Sequence, residues 1–228
     1  MTIIKFLTLI PFLLISPLTF SESQDKNYQA RLQDVMKARK LMDKKRERDE
    51  IKDLAQDLAQ EILIIDTHLD TPIQLYMQQD KKGSYEDITK ASSLHFDYDR
   101  AVSGGLNVPF FVIFTSPSAE EKGTAFEMAE ELIQILEDIM EKNPNKFRLV
   151  KSPGEITNDK DIMQVVYGME NGAPIESKLS NIKLFSDIGI NYITLAHSKS
   201  NHISDSSYDE NKNWGGLSPF GREVVAEM

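Results

Sequence analysis

The sequence predicts an α/β protein built on a parallel sheet, and three observations carry that reading. Short apolar runs of strand length recur along the chain, segments of helical period separate them, and ionisable residues gather where the runs end. Runs such as Asn107-Val108-Pro109-Phe110-Phe111-Val112-Ile113-Phe114 do not alternate polar with apolar. They therefore imply strands covered on both faces, as parallel βα units require.

The elements follow in order. Residues 1–23 hold Lys5, an apolar run from Phe6 to Phe20 broken by Pro11 and Pro17, and small residues at Ser21 and Ser23. These are the three parts of a secretory signal peptide, so an exported, periplasmic or extracellular protein is expected. Two prolines and modest length disfavour a stable membrane span there. Residues 24–60 turn to dense mixed charge, with Leu32, Val35, Met36, Leu41, Ile51, Leu54 and Leu58 at helical spacing, and predict an amphipathic helix or helix pair leading into the domain.

From residue 61 the alternation begins. Residues 61–66 and 107–114 read as strands, and residues 123–142 as a helix stopped by Asn143-Pro144. A short strand at 147–150, a buried strand approached through 161–168, a helix at 179–188 closed by Gly189 and a strand at 191–196 follow.

Composition bounds the chemistry. The 228 residues are 40% hydrophobic and 27% charged, enough apolar material for a core. A net charge of −10 argues against nucleic acid, whose partners concentrate Lys and Arg. With no cysteine, disulfides, thiolate metal sites and a thiol nucleophile are excluded. Any metal must be held by His, Asp and Glu.

Such residues lie at strand ends. His68 and Asp70 close the first strand, Glu170 follows Val166-Tyr167-Gly168-Met169, and His197 follows Ile193-Thr194-Leu195-Ala196. In a (β/α)8 barrel the C-terminal strand ends form the active-site face. His68 and Asp70 are two positions apart, so on extended backbone both side chains point to one side, where an imidazole and a carboxylate can share a zinc ion. A lone H-x-D is a weak signal, and each residue has an ordinary reading as surface pair, helix cap or core histidine. Their common position at strand ends is what favours a site.

Four segments then carry a resemblance: Ile65-Asp66-Thr67-His68-Leu69-Asp70-Thr71-Pro72, Gly168-Met169-Glu170-Asn171-Gly172-Ala173, residues 184–197, and Gly216-Leu217-Ser218-Pro219-Phe220-Gly221-Arg222-Glu223-Val224-Val225. Together, in this order, they resemble the membrane dipeptidase (renal dipeptidase) family across residues 61–228. The resemblance implies a (β/α)8 TIM-type barrel of the metal-dependent hydrolase kind. It also implies two zinc ions, with His68 and Asp70 on the first and Glu170 bridging both, and His197 as the catalytic, substrate-binding histidine on the carbonyl and its tetrahedral intermediate. The implied reaction is hydrolysis of a dipeptide by a hydroxide between the metals, with a D-residue admitted at the C-terminal position.

The family's two histidines for the second zinc and its acid/base aspartate have no match in residues 61–228. That stretch is therefore expected to be about the first half of the barrel, inactive alone. Other amides or lactones are the competing substrates, an inactive remnant is the competing reading, and a homodimer is the protein partner to test for. His95 is expected in a loop, and residues 198–216, with Trp214, should border the substrate or form an ordinary mobile loop.

Overall fold

The computed structural model describes residues 22–43 and 48–228. The expected export signal, apart from its last two residues, lies outside the described residues, as do residues 44–47 of the charged segment. The chain divides into two compact units, residues 1–55 and 56–228.

In the first unit, α1 (Glu22–Asp43) covers much of the charged segment. Its described side chains from Lys26 to Arg39 are exposed apart from half-buried Ala38. Leu32, Val35 and Met36 are among those facing solvent. A second helix, α2 (Arg48–Glu61), carries the chain from the first unit into the second.

The second unit alternates as the apolar runs require: β1 (Ile64–Leu69), α3 (Thr71–Lys82), α4 (Tyr98–Ser103), β2 (Leu106–Phe114), α5 (Pro117–Glu121), α6 (Ala125–Lys142), β3 (Phe147–Leu149), β4 (Met163–Glu170), α7 (Ser180–Ile188), β5 (Ile190–Thr194) and α8 (Pro219–Glu227). The first strand starts later than its apolar run. Glu61 is still helical and the Ile62 amide donates to the Leu58 carbonyl at 3.1 Å, so that Ile62 finishes a helical turn before β1 begins.

All strand pairs are parallel. The long strands pair in chain order, β1 with β2, β2 with β4 and β4 with β5, while short β3 joins only the first residues of β4. A sheet that always advances the same way curls toward a barrel, whereas a doubly wound sheet reverses at a switch point. Residues 64–194 thus form about the first half of a (β/α)8 barrel.

The central strands β2 and β4 are covered on both faces, which is why their sequences do not alternate. On the helix side Phe111, Ile113, Tyr167 and Met169 pack with Leu75 of α3 and Leu132 and Leu136 of α6 in one cluster. Each such side chain withdrawn from water contributes about 1.5–3 kcal/mol. On the other side Phe110, Val112 and Phe114 line the concave face beside Val166, Gly168 and Glu170. The outer strands are less covered: Ile65 of β1 is 43% exposed. Among the described residues no helix is long and apolar enough to cross a membrane.

Candidate metal centre

The site is assembled where three strands end. His68 lies in β1 at an irregularity of the β1–β2 register between Asp66 and Leu69, the kind of local break that re-aims a side chain. Asp66 accepts the His68 backbone amide at 3.1 Å and helps fix this turn of the chain. Asp70 has already left the strand, with φ −81° and ψ 22°, and occupies the N-cap position of α3. Its carboxylate makes no capping hydrogen bond and remains free. Strand β1 runs through Leu69, so strand backbone separates His68 from Asp70, and the chain turns into α3 only after Asp70.

Glu170 ends β4 with its side chain 15% exposed. His68 Nε2 stands 3.5 Å from Asp70 Oδ1 and 3.5 Å from Glu170 Oε2. The ligand atoms of all three residues lie within 4.8 Å of one another. The other oxygen, Glu170 Oε1, is 3.5 Å from His197 Nε2. His197 follows β5, sits edge-on to Phe114 with ring centroids 5.1 Å apart, and its Nδ1 has no hydrogen-bond partner among the described residues.

The donor set fits a cation. Two carboxylates face one imidazole, and among the described residues no lysine or arginine lies within 4 Å of either. Separations of 3.5 Å are poor as hydrogen bonds. They suit donors around a shared ion, since ligands at about 2.1 Å in tetrahedral array stand roughly 3.4 Å apart. Glu170 turns one oxygen to each histidine.

The remaining histidines fall elsewhere. His95 is exposed in the loop before α4, as expected. His202 pairs through Nδ1 with Glu120 Oε1 at 3.0 Å and stacks on Phe220, apart from the group above.

Three residues of the site had not been singled out. Tyr192 of β5 reaches across the concave face, its hydroxyl 3.2 Å from the Thr67 carbonyl and 3.3 Å from His68 Nδ1. Burial, with Glu170 and Asp70 adding, pushes its phenol up to about 12, so it stays protonated. Asn171, held at φ 74°, donates to the Thr115 carbonyl at 3.0 Å and accepts from Asn201 Nδ2 at 2.9 Å. Asn201 donates further to the Leu195 carbonyl at 2.7 Å, tying the ends of β4 and β5 to the following loop.

That loop is built rather than loose. Both oxygens of the Asp205 carboxylate are used, accepting the backbone amides of Asn213, Trp214, Gly215 and Gly216 at 2.7–3.1 Å. Trp214 Nε1 donates to the Asn201 carbonyl at 2.9 Å. The Gly221 position allows no side chain, since a Cβ there would meet the Ile203 carbonyl oxygen at 2.0 Å. Helix α8 can lie against the loop only because of it.

A half barrel with an imidazole and two carboxylates converging at the C-terminal ends of its strands has the layout of the metal-dependent barrel hydrolases. Comparison with known proteins narrows this class. The chain belongs to the membrane dipeptidase family (peptidase family M19), whose sequence profile matches residues 52–228. Dipeptidase 3 of Homo sapiens is 27% identical over 180 residues, covering 76% of this chain and 36% of that protein. An uncharacterized dipeptidase of Schizosaccharomyces pombe is 27% identical over 183 residues, 72% of this chain and 43% of that one. The chain thus spans less than half the length of these relatives.

Solved structures share the fold. The probable dipeptidase PvdM from Pseudomonas aeruginosa superposes with a TM-score of 0.68 at 20% identity, over 79% of this chain and 47% of that one. A metallopeptidase from Rhodobacter sphaeroides, liganded with a phosphinate mimic of the dipeptide L-Ala-D-Ala, gives 0.60 at 20% identity over 73% and 55%.

Proposed function

We propose that these residues are the first-metal half of a zinc-dependent dipeptidase, an exported enzyme that hydrolyses the peptide bond of dipeptides. The observation that carries this is the placement of His68, Asp70 and Glu170 at mutual distances suited to a shared ion, on the active-site face of the barrel. Family membership supports the reaction, and the L-Ala-D-Ala mimic held by the Rhodobacter relative supports dipeptides with a D-residue at the C-terminal position.

His68 Nε2 and Asp70 Oδ1 would hold the first of two zinc ions, and Glu170 would extend from it toward the second. Zinc, when bound, supplies Lewis acidity that lowers the pKa of water to about 7. The residues of this chain do the rest. Glu170 fixes the spacing of the two positions through its separately aimed oxygens. His197 presents Nε2 toward the same point and donates a hydrogen bond to the carbonyl oxygen as it gains negative charge. The loop of residues 198–216, with Trp214 exposed on it, borders the substrate.

Two expectations follow. Residues 1–228, expressed as they stand, bind one zinc weakly, not two, and hydrolyse no dipeptide, because His68, Asp70 and Glu170 supply the donors of a single ion. Zinc content after dialysis, with a panel of dipeptides, amides and lactones, measures this. Full dipeptide turnover would overturn the assignment of the second metal to residues outside this stretch, and amide or lactone turnover without dipeptide turnover would overturn the substrate.

Export predicts a mature N-terminus generated between Phe20 and Gln24. N-terminal sequencing of material recovered outside the cytoplasm tests it, and a mature chain still beginning at Met1 would contradict it.

A further inference from the structure

Tyr192 has no part in the donor set, yet it is the side chain that spans the concave face. Its ring stacks on Phe110 of β2, centroids 6.1 Å apart and planes 25° from parallel. It lies directly over β4 at Gly168, where a Cβ would fall 2.3 Å from two of its ring carbons. A glycine inside a largely buried strand weakens that strand unless something approaches closely, and here the phenol does. The ring is thus fixed from below and from the side, and its hydroxyl is delivered to one place at the far strand.

Proton accounting at that place is restrictive. The Thr67 carbonyl can only accept, so both contacts of the hydroxyl are hydrogen bonds together only when the single phenolic proton goes to Thr67, over 3.2 Å. The tyrosine oxygen then offers only lone pairs to His68 Nδ1 at 3.3 Å. A hydrogen bond there requires the proton on Nδ1. Nδ1–H in turn leaves Nε2 as the nitrogen available for coordination, and Nε2 is the atom that faces Asp70 and Glu170. Metal-bound imidazoles generally depend on such a partner for their second nitrogen, because it sets both the tautomer and the ring plane.

We infer that Tyr192 is a positioning residue for the metal centre: its hydroxyl, anchored on the Thr67 carbonyl, accepts from His68 Nδ1–H and presents Nε2 to the ion. The inference rests on the metal reading of His68 given above. Gly168 belongs to the same device, since it makes the space in which the phenol lies.

Two measurements on the 228-residue chain test it. In the metal-free protein the Hδ1 proton of His68, slowed in exchange by its bond to Tyr192, is visible by proton–nitrogen NMR and disappears in Tyr192→Phe, which keeps the ring and its stacking. Zinc titration shows affinity about tenfold weaker in Tyr192→Phe, within the range expected for loss of a supporting partner. Gly168→Ala, which pushes the ring aside, weakens zinc in the same direction. A Phe variant that binds zinc as well as the wild type overturns the inference alone, as does a wild-type Hδ1 signal that survives the substitution. Wild-type protein that binds no zinc overturns the metal reading, and with it this role for Tyr192.

Discussion

His68→Ala is expected to remove zinc from this protein, with affinity reduced by on the order of 10² or more, beyond the cost of losing a supporting hydrogen bond. The imidazole is the one nitrogen donor of the group and stands between the two carboxylates, 3.5 Å from each. Without it Asp70 and Glu170 remain as two like charges with too few donors to close a coordination shell. The side chain is 42% exposed, so its loss leaves little cavity and should not unfold the domain. Zinc content after dialysis, measured beside circular dichroism, separates the two effects. A folded variant that keeps its zinc would make the H-x-D pair structural and remove the basis of the proposed function.

His197→Ala should behave oppositely. It leaves His68, Asp70 and Glu170 intact, so zinc content is expected to match the wild type. In a version carrying the whole barrel, kcat for a dipeptide should fall by on the order of 10² to 10³, the usual consequence of losing one contact to a developing oxyanion. Its position tests the division of roles sharply, because Nε2 lies as close to Glu170 Oε1 as His68 Nε2 lies to Oε2. If zinc content falls in His197→Ala as far as in His68→Ala, His197 is a ligand and the oxyanion must be held by another group.

Much of this architecture is written in uninterrupted apolar runs. Residues 107–114 and the approach to Glu170 became β2 and β4 because a strand covered on both faces has no solvent side to keep polar. Asn143-Pro144 stopped α6 at Lys142 for the backbone reason proline always supplies. The start of β1 was misplaced because Ile62 and Leu63 look the same to a strand and to the last turn of an amphipathic helix. Helices α3 and α4, between β1 and β2, carry too little periodic signal in short polar stretches to be read.

For the site, strand-end position singled out His68, Asp70, Glu170 and His197. Tyr192, Asn171 and Asn201 escaped because their roles depend on contacts between segments far apart in sequence, such as Tyr192 with Thr67. A signal for the tyrosine did exist. Gly168, sitting between Tyr167 and Met169 in a buried strand, marks a place of close approach, and β5 on one side of it carries a single aromatic side chain, Tyr192.

The clasp of Asp205 on four successive amides has a consequence for how a ligand would meet this protein. The loop carrying Trp214 takes its shape from its own carboxylate and amides, so the wall exists before anything arrives to lean on it. A molecule bound against it would have little chain to freeze, because the entropy of arranging the loop is settled during folding. A surface of this kind is unforgiving: whatever meets it meets a fixed boundary instead of a loop that can retreat.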